Sequence, residues 1–347
     1  MADALRLFVG TSQGVFTTRL KDGACETPSL SLRGAFPRAM AGAPGHPEGV
    51  YAAAANDGLY RTTDAGQHWA RVLEGDVRAI TIDPTNDDVI YAGTEPVHLY
   101  RSDDAGDTWQ ELTAILDLPE EVRKNWWFPN PPHLGHVLQI FVHPDDPRLL
   151  YVSVEHGGIV RSSDGGETWE DVSQGIDYLD IHMVATLPHR FDRYFAATAQ
   201  GFYATPDPAE GWQRSETGFT RDYFHDFIFF PTARQDELPT MLISTADKSP
   251  GSWNRPEHAR GAVFRSRDGG ESWHWVGKGL PEEMQENVWA ICRHPSDDNA
   301  ALIGLGRGRS GNDNTPGAVL MTRDRGDTWE RLDLQVPLVL SLVPATA

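Results

Sequence analysis

Apolar residues in this chain fall into short runs separated by polar turns. Leu59-Tyr60, Leu99-Tyr100, Ile159-Val160, Phe202-Tyr203, Val263-Phe264 and Val319-Leu320 each stand just ahead of a polar stretch with one grammar, Ser/Thr-x-Asp-x-Gly-x-Thr/Ser-Trp. Residues 162–169 read Ser-Ser-Asp-Gly-Gly-Glu-Thr-Trp, and residues 62–69, 102–109, 266–273 and 322–329 are further copies. Residues 205–212 are a worn copy. A second short strand follows each Trp, as in Trp169-Glu170-Asp171-Val172. Runs this short between turn residues predict strands, and the motif is the hairpin turn joining two of them. The Asp carboxylate folds back onto turn N–H groups, and Gly supplies a positive φ. The hydroxyls bond the Asp, and the Trp ring packs beside the next strand. Turn chemistry accounts for every position, so these aspartates are structural.

A second landmark sets the unit. Pro44, Pro84 and Pro144 each precede a Tyr by seven residues (Tyr51, Tyr91, Tyr151), and Pro188, Pro231 and Pro295 hold the same place in later repeats. Each repeat reads as strand a, Pro turn, strand b, strand c, Asp turn, strand d. Four short strands in each repeat predict propeller blades. Residues 5–33 supply three strands, at 5–10, 14–20 and about 26–32, and the apolar run 337–344 supplies the missing strand a. The C-terminal strand therefore joins the N-terminal blade and closes the ring, removing sheet edges that invite aggregation.

The prediction is one all-β domain, 1–347, a seven-bladed β-propeller of four-stranded antiparallel blades. Blade one is 1–33 plus 336–344. The others are 34–75, 76–115, 134–174, 178–215, 221–277 and 285–334.

The motif resembles the Asp-box, or BNR, repeat of sialidases, sortilin-type receptors, some xyloglucan hydrolases and photosystem II assembly factors. The resemblance covers nearly the whole chain and implies a β-propeller. Family members do not share an activity, so it implies no single reaction. The sialidase Arg-Ile-Pro signature is absent near the N-terminus, where Phe36-Pro37-Arg38-Ala39 stands instead, so sialidase activity does not carry over.

Composition narrows the partners. The chain has 347 residues and a formal net charge of −20, with no basic stripe, so a phosphate backbone is an unsuitable partner. Two cysteines, Cys25 and Cys292, make no disulfide framework and no metal spacing. The first ten residues read as a strand rather than a signal peptide, and no run approaches a membrane span. A cytoplasmic protein is expected.

Spacing between the Asp turns is irregular, 40 residues from Asp64 to Asp104 but 60 from Asp104 to Asp164 and 61 from Asp207 to Asp268. The excess marks insertions near 113–134 (strand d to a), 246–260 and 306–316 (strand b to c). In an up-and-down blade these connections share one face, opposite the Asp turns. Function concentrates on loops held by a rigid scaffold, so that face is the expected site.

Counting back six residues from each closing Pro gives Arg38, Arg78, Leu138, His182, His225, Trp289 and Leu338, a ring at the channel mouth. Nearby connections add Glu95 with His98, Glu155-His156, His133, His136, Tyr178, Asp180, Tyr223, Asp247, and Arg307 with Arg309. Trp126, Trp127, Phe128 and Trp253 ride on the insertions. Rings beside carboxylates suit a small polar or carbohydrate ligand.

The catalytic candidates are His182, His225, Glu155, Asp180 and Asp226. The ligand-binding candidates are Arg38, Arg78, His136, His156, Trp289, Arg307, Asp247 and Trp126. His136, His156, His182 and His225 are the candidate metal ligands, suited to a divalent Zn, Mn or Fe ion. His46, His143 and His294, at the Pro turns of the other face, are expected to be structural. The expected activity is a glycosidase-like hydrolase or lyase. The alternative is a non-catalytic scaffold that docks a protein partner.

Overall fold

A computed structural model of the protein describes residues 5–21, 23–43, 45–234, 236–253, 258–281, 284–307 and 315–347. Pro44 and Arg309, and parts of the insertions near 246–260 and 306–316, lie outside the described residues.

Each stretch that alternates short apolar runs with turn residues folds as an antiparallel meander, and seven such sheets form a seven-bladed propeller. The first strands of the sheets are Val339–Thr346, Pro37–Gly42, Asp76–Asp83, His136–Val142, Ile181–Thr186, Tyr223–Phe229 and Asn287–Arg293. Each packs against the first strand of the next sheet, and the seventh returns to the first, so these strands line the axis. The outermost strands are short, as in Gln110–Glu111 and Glu170–Asp171, which leaves little unpaired edge.

Ring closure is as the sequence predicts. Val339–Thr346 pairs antiparallel with Leu5–Thr11 and supplies the inner strand of the N-terminal sheet. The third strand expected in residues 26–32 is split in two, Ala24–Cys25 and Ser29–Ser31, both on Gly14–Lys21. Pro28 sits in the gap, where a residue with no N–H cannot carry the ladder on.

Apolar faces of neighbouring sheets interlock. Phe195, Phe202, Phe224, Phe227 and Trp273 fill one such interface, and Val9, Leu302, Val319 and Leu342 fill another. The Asp turns form the corners of the rim. At one, Asp164 Oδ1 accepts the Ser162 hydroxyl at 2.8 Å and the Thr168 N–H at 2.9 Å, while Oδ2 accepts the Thr168 hydroxyl at 2.6 Å. Gly166 holds φ at +99° and donates its N–H to Ser162 Oγ at 2.8 Å. The hydroxyl and backbone of Thr168 pull the Asp164 carboxyl down to about 2. Asp104, Asp268 and Asp324 repeat these bonds, and Asp64 substitutes the His68 ring for the hydroxyl. The worn copy keeps the Asp207 N–H bond to Thr205 Oγ1 at 3.2 Å, and Asp207 instead caps the turn Pro208–Glu210 by accepting the Ala209 N–H at 2.9 Å.

Among the described residues, no helix is long and apolar enough to cross a membrane.

Candidate functional site

The axial positions share one local device. In every first strand the ladder with its neighbour slips by one residue, at Arg38, Arg78, Leu138, His182, Trp289 and Leu340, and across His225-Asp226. A bulge of this kind leaves one residue unpaired and re-aims its side chain. All these bulged residues line one axial cavity of about 290 Å³, with Gln139, Met183 and Ser341 among its other walls. Six of the seven ring positions read from sequence are therefore in the cavity wall. The seventh is Leu340, not Leu338. Pro344 does not close its strand, which runs on to Thr346, so counting back from it lands two residues short. Leu338 packs instead in a buried cluster with Trp253 and Trp289.

At the mouth, strand ends and connections bring charged groups together. Arg78 clamps Asp76 through two nitrogens at 2.7 Å and reaches Glu95 at 3.0 Å. Glu95 Oε2 lies 3.0 Å from Nδ1 of His136, and the other ring nitrogen of His136 contacts Glu155. His136 is 2 % exposed. Burial opposes its charge, but Glu155 and Glu95 outweigh burial and hold it above the usual histidine range. Burial works against ionised Glu155 too, but His136, Arg38 and His182 outweigh it and hold its carboxyl below the usual range. Sequence reasoning placed Glu95 on this face without assigning it a role. The signal it lacked was the ion pair, which links neighbouring sheets.

Next to this chain, His156 Nε2 lies 3.3 Å and His182 Nε2 3.5 Å from the two oxygens of Asp180. His182 Nδ1 sits 2.6 Å from the Phe224 carbonyl oxygen. His225 stands 5.4 Å from His182, ring centre to ring centre, with Trp289 edge-on at the same distance. Burial, then His182 and Arg38, push His225 down to about 3, so it is neutral at physiological pH. Asp226, beside it in the cavity wall, is pushed by burial up to about 7 against the backbone N–H groups of Phe227 and Ile291.

The insertion after the third blade roofs the mouth. Phe128 lies against His136 and His156, at 5.2 and 5.5 Å. A Cβ on Gly157 would stand 2.7 Å from the Trp126 ring, so glycine there lets the roof seat closely. Trp127 points out, half exposed and stacked on His133, which places His133 apart from the imidazole cluster. Two more candidates stand apart from the cavity wall. Arg307 pairs with Glu286 at 3.2 Å, and Asp247 pairs with Arg260 at 3.2 Å. The four-histidine metal set is also not the grouping that forms. Within the described residues, Glu155, His156 and Asp180 are the donors that cluster, while both ring nitrogens of His136 face carboxylates. On the other face, His143 and His294 accept turn N–H groups at 3.2 Å.

No family model matches the chain. The oligoxyloglucan-reducing end-specific xyloglucanase of Emericella nidulans is 26% identical over 205 residues, covering 56% of this chain and 24% of that protein. The vacuolar protein sorting/targeting protein 10 of Talaromyces marneffei is 40% identical over 77 residues, covering 22% of this chain and 4% of its own length. The chain thus spans a quarter or less of the curated relatives it matches. Among solved structures, the Niastella koreensis GH74 enzyme superposes with a TM-score of 0.64 at 15% identity, over 93% of this chain and 46% of that one. YCF48 bound to D1 peptide superposes with a TM-score of 0.52 at 16% identity, over 86% and 82%. At such identities these structures establish the propeller and nothing finer.

Proposed function

We propose that the protein is a glycosidase-like hydrolase or lyase that takes a saccharide at the axial mouth, on the face opposite the Asp corners. The observation that carries this reading is the ring of bulges, which turns two arginines, two histidines, an acid and an indole into one cavity. Trp289 offers a ring face or edge, and Arg38 and Arg78 offer charge. Such a mixture of flat apolar surface and oriented polar groups suits a sugar.

Two carboxyls there have opposite protonation. Asp226 keeps its proton to about pH 7 and is assigned as general acid. Glu155 is held ionised by His136 and is assigned as base or nucleophile. Environments that split two carboxyls in this way supply the acid and base that glycoside cleavage needs. The xyloglucanase relative supports a carbohydrate substrate at this coarse level. We read the corners as Asp-box turns, which fits the same company.

The test is a panel of neutral and acidic oligosaccharides, xyloglucan fragments included, with products read by mass spectrometry. Hydrolysis adds water across the bond, and elimination leaves an unsaturated end. Turnover is expected for the wild type, with Glu155→Gln lowering kcat by about 100-fold or more. No turnover and no saccharide binding across the panel would overturn the proposal.

A scaffold that docks a peptide is the second reading. It is favoured by the match in size to YCF48, 82% of which the chain covers. Peptide capture at the mouth without turnover is its expected signature.

A further inference from the structure

We propose that Glu95 is a positioning residue for Glu155: from the neighbouring sheet it pins the His136 ring, and that ring holds the Glu155 carboxylate in place at the axial mouth. The role rests on the proposed function for what Glu155 does there, not for what holds it.

The contacts run through three sheets. The Asn56 N–H, in the turn between Val50–Ala54 and Gly58–Thr62, donates to Asp76 Oδ1 at 2.7 Å. Asp76 and Glu95 stand opposite each other at the ends of paired strands, and the bulged Arg78 reaches both carboxylates. Glu95 then crosses to His136 in the next sheet, whose partner across the ladder is Glu155. Every charge between Asp76 and Glu155 is flanked by the opposite sign. The side chains of Arg78, Glu95 and His136 are 12 %, 10 % and 2 % exposed, so salt screens these pairs little.

Two points fix a ring where one does not. Glu155 meets one nitrogen of His136 and Glu95 the other. A planar ring held at both nitrogens can neither swing nor turn over, because either motion puts carbon where a carboxylate needs nitrogen. Phe128 closes a further side, 5.2 Å away ring to ring. Neither nitrogen has the alignment of a hydrogen bond, so the hold is electrostatic and depends on charge at residue 95. An amide there keeps the carboxylate's shape, loses its charge and releases Nδ1. Glu95 itself has little freedom. Arg78 takes it at 3.0 Å, and the hairpin beside it is closed by the Thr94 N–H to the His98 carbonyl at 3.1 Å and the Thr94 hydroxyl to the Pro96 carbonyl at 2.6 Å.

A staple that merely joined two sheets would act on stability. A clamp on Glu155 acts on kcat, since misplacing a reacting group by about 1 Å costs about 10²-fold in rate. The experiment measures kcat and KM of full-length Glu95→Gln and Glu95→Asp, with xyloglucan oligosaccharides and the panel above as probes. Glu95→Gln should lower kcat by about 10- to 100-fold and leave KM unchanged. Glu95→Asp keeps the charge one methylene short. Its kcat should fall between those of the Gln variant and the wild type, and it carries the test if far-UV circular dichroism shows the Gln variant unfolded. A crystal structure of the folded variant, free of ligand, reads the positioning without any substrate. A turned His136 ring and a displaced Glu155 are expected. A wild-type kcat, a kcat and KM altered alike, or Glu155 in its original place would each overturn the role. If the wild type cleaves nothing in the panel while Glu155 moves in the variant's crystals, the clamp stands and the carbohydrate reading falls alone.

Discussion

Deleting residues 339–346 is expected to leave a chain that no longer folds cooperatively. That strand pairs along Leu5–Thr11 and packs against the inner strands Pro37–Gly42 and Asn287–Arg293. Ser341 ties it further by donating its hydroxyl to the Pro37 carbonyl at 2.8 Å. Val339, Leu340, Leu342 and Val343 are each at most 9 % exposed. Burial of such side chains contributes about 1.5–3 kcal/mol each, together about 6–12 kcal/mol. That equals most of the roughly 5–15 kcal/mol by which a folded domain is stable. The loss also bares Leu5–Thr11 as an open edge, a template for pairing between molecules. Size-exclusion chromatography and thermal denaturation should show aggregates and no sharp transition. A monomer with the full-length transition would refute ring closure as the source of stability.

Asp226→Asn is expected to stabilise the protein at pH 8 and to stop turnover. The folded carboxyl keeps its proton to about pH 7, whereas the unfolded one loses it near 3.8. A raised carboxyl of this kind is a stability cost that grows as pH rises between those values and is complete above 7. An amide never ionises. A shift of about three units corresponds to about 4 kcal/mol at most, less whatever channel water recovers. The variant should therefore gain on the wild type from pH 5 to 8 in urea denaturation and match it near pH 4. His225 works the other way. Its depressed folded value means stability is lost as pH falls below about 6.5, in both proteins alike. Parallel pH profiles for variant and wild type would show that Asp226 ionises freely, and the general-acid role would fall with it. Loss of the acid should cost about 10²- to 10⁴-fold in kcat.

The corners were legible because their bonds are local. Asp164 finds its partners two and four residues away, so the spacing in the chain is the geometry of the turn. The axial ring was legible where a Pro marks the end of each inner strand, since a fixed count from that mark lands on the bulge. It misled at Leu338 because Pro344 lies within its strand, paired with Leu7. The bulges themselves carry no local signature. Arg, Leu, His and Trp all occupy them, and the slip is set by packing of sheets around the axis. The Arg78–Glu95–His136–Glu155 chain was not legible as a chain: two of its links join paired strands within a sheet, and the third, Glu95–His136, crosses between neighbouring sheets. Arg307 and Asp247 looked like site residues by face, yet each turns to a partner on its own rim. Asp226 stood out by position, but its retained proton depends on burial outweighing the N–H groups of Phe227 and Ile291, which no spacing rule reveals.

The most direct test of the axial mouth as the working site is crystallography of Glu155→Gln with a bound oligosaccharide. The sugar is predicted to sit in the cavity of about 290 Å³, in contact with Trp289, His182 and Arg78. Ligand density confined to the rim of the Asp corners, with the mouth empty, would contradict it.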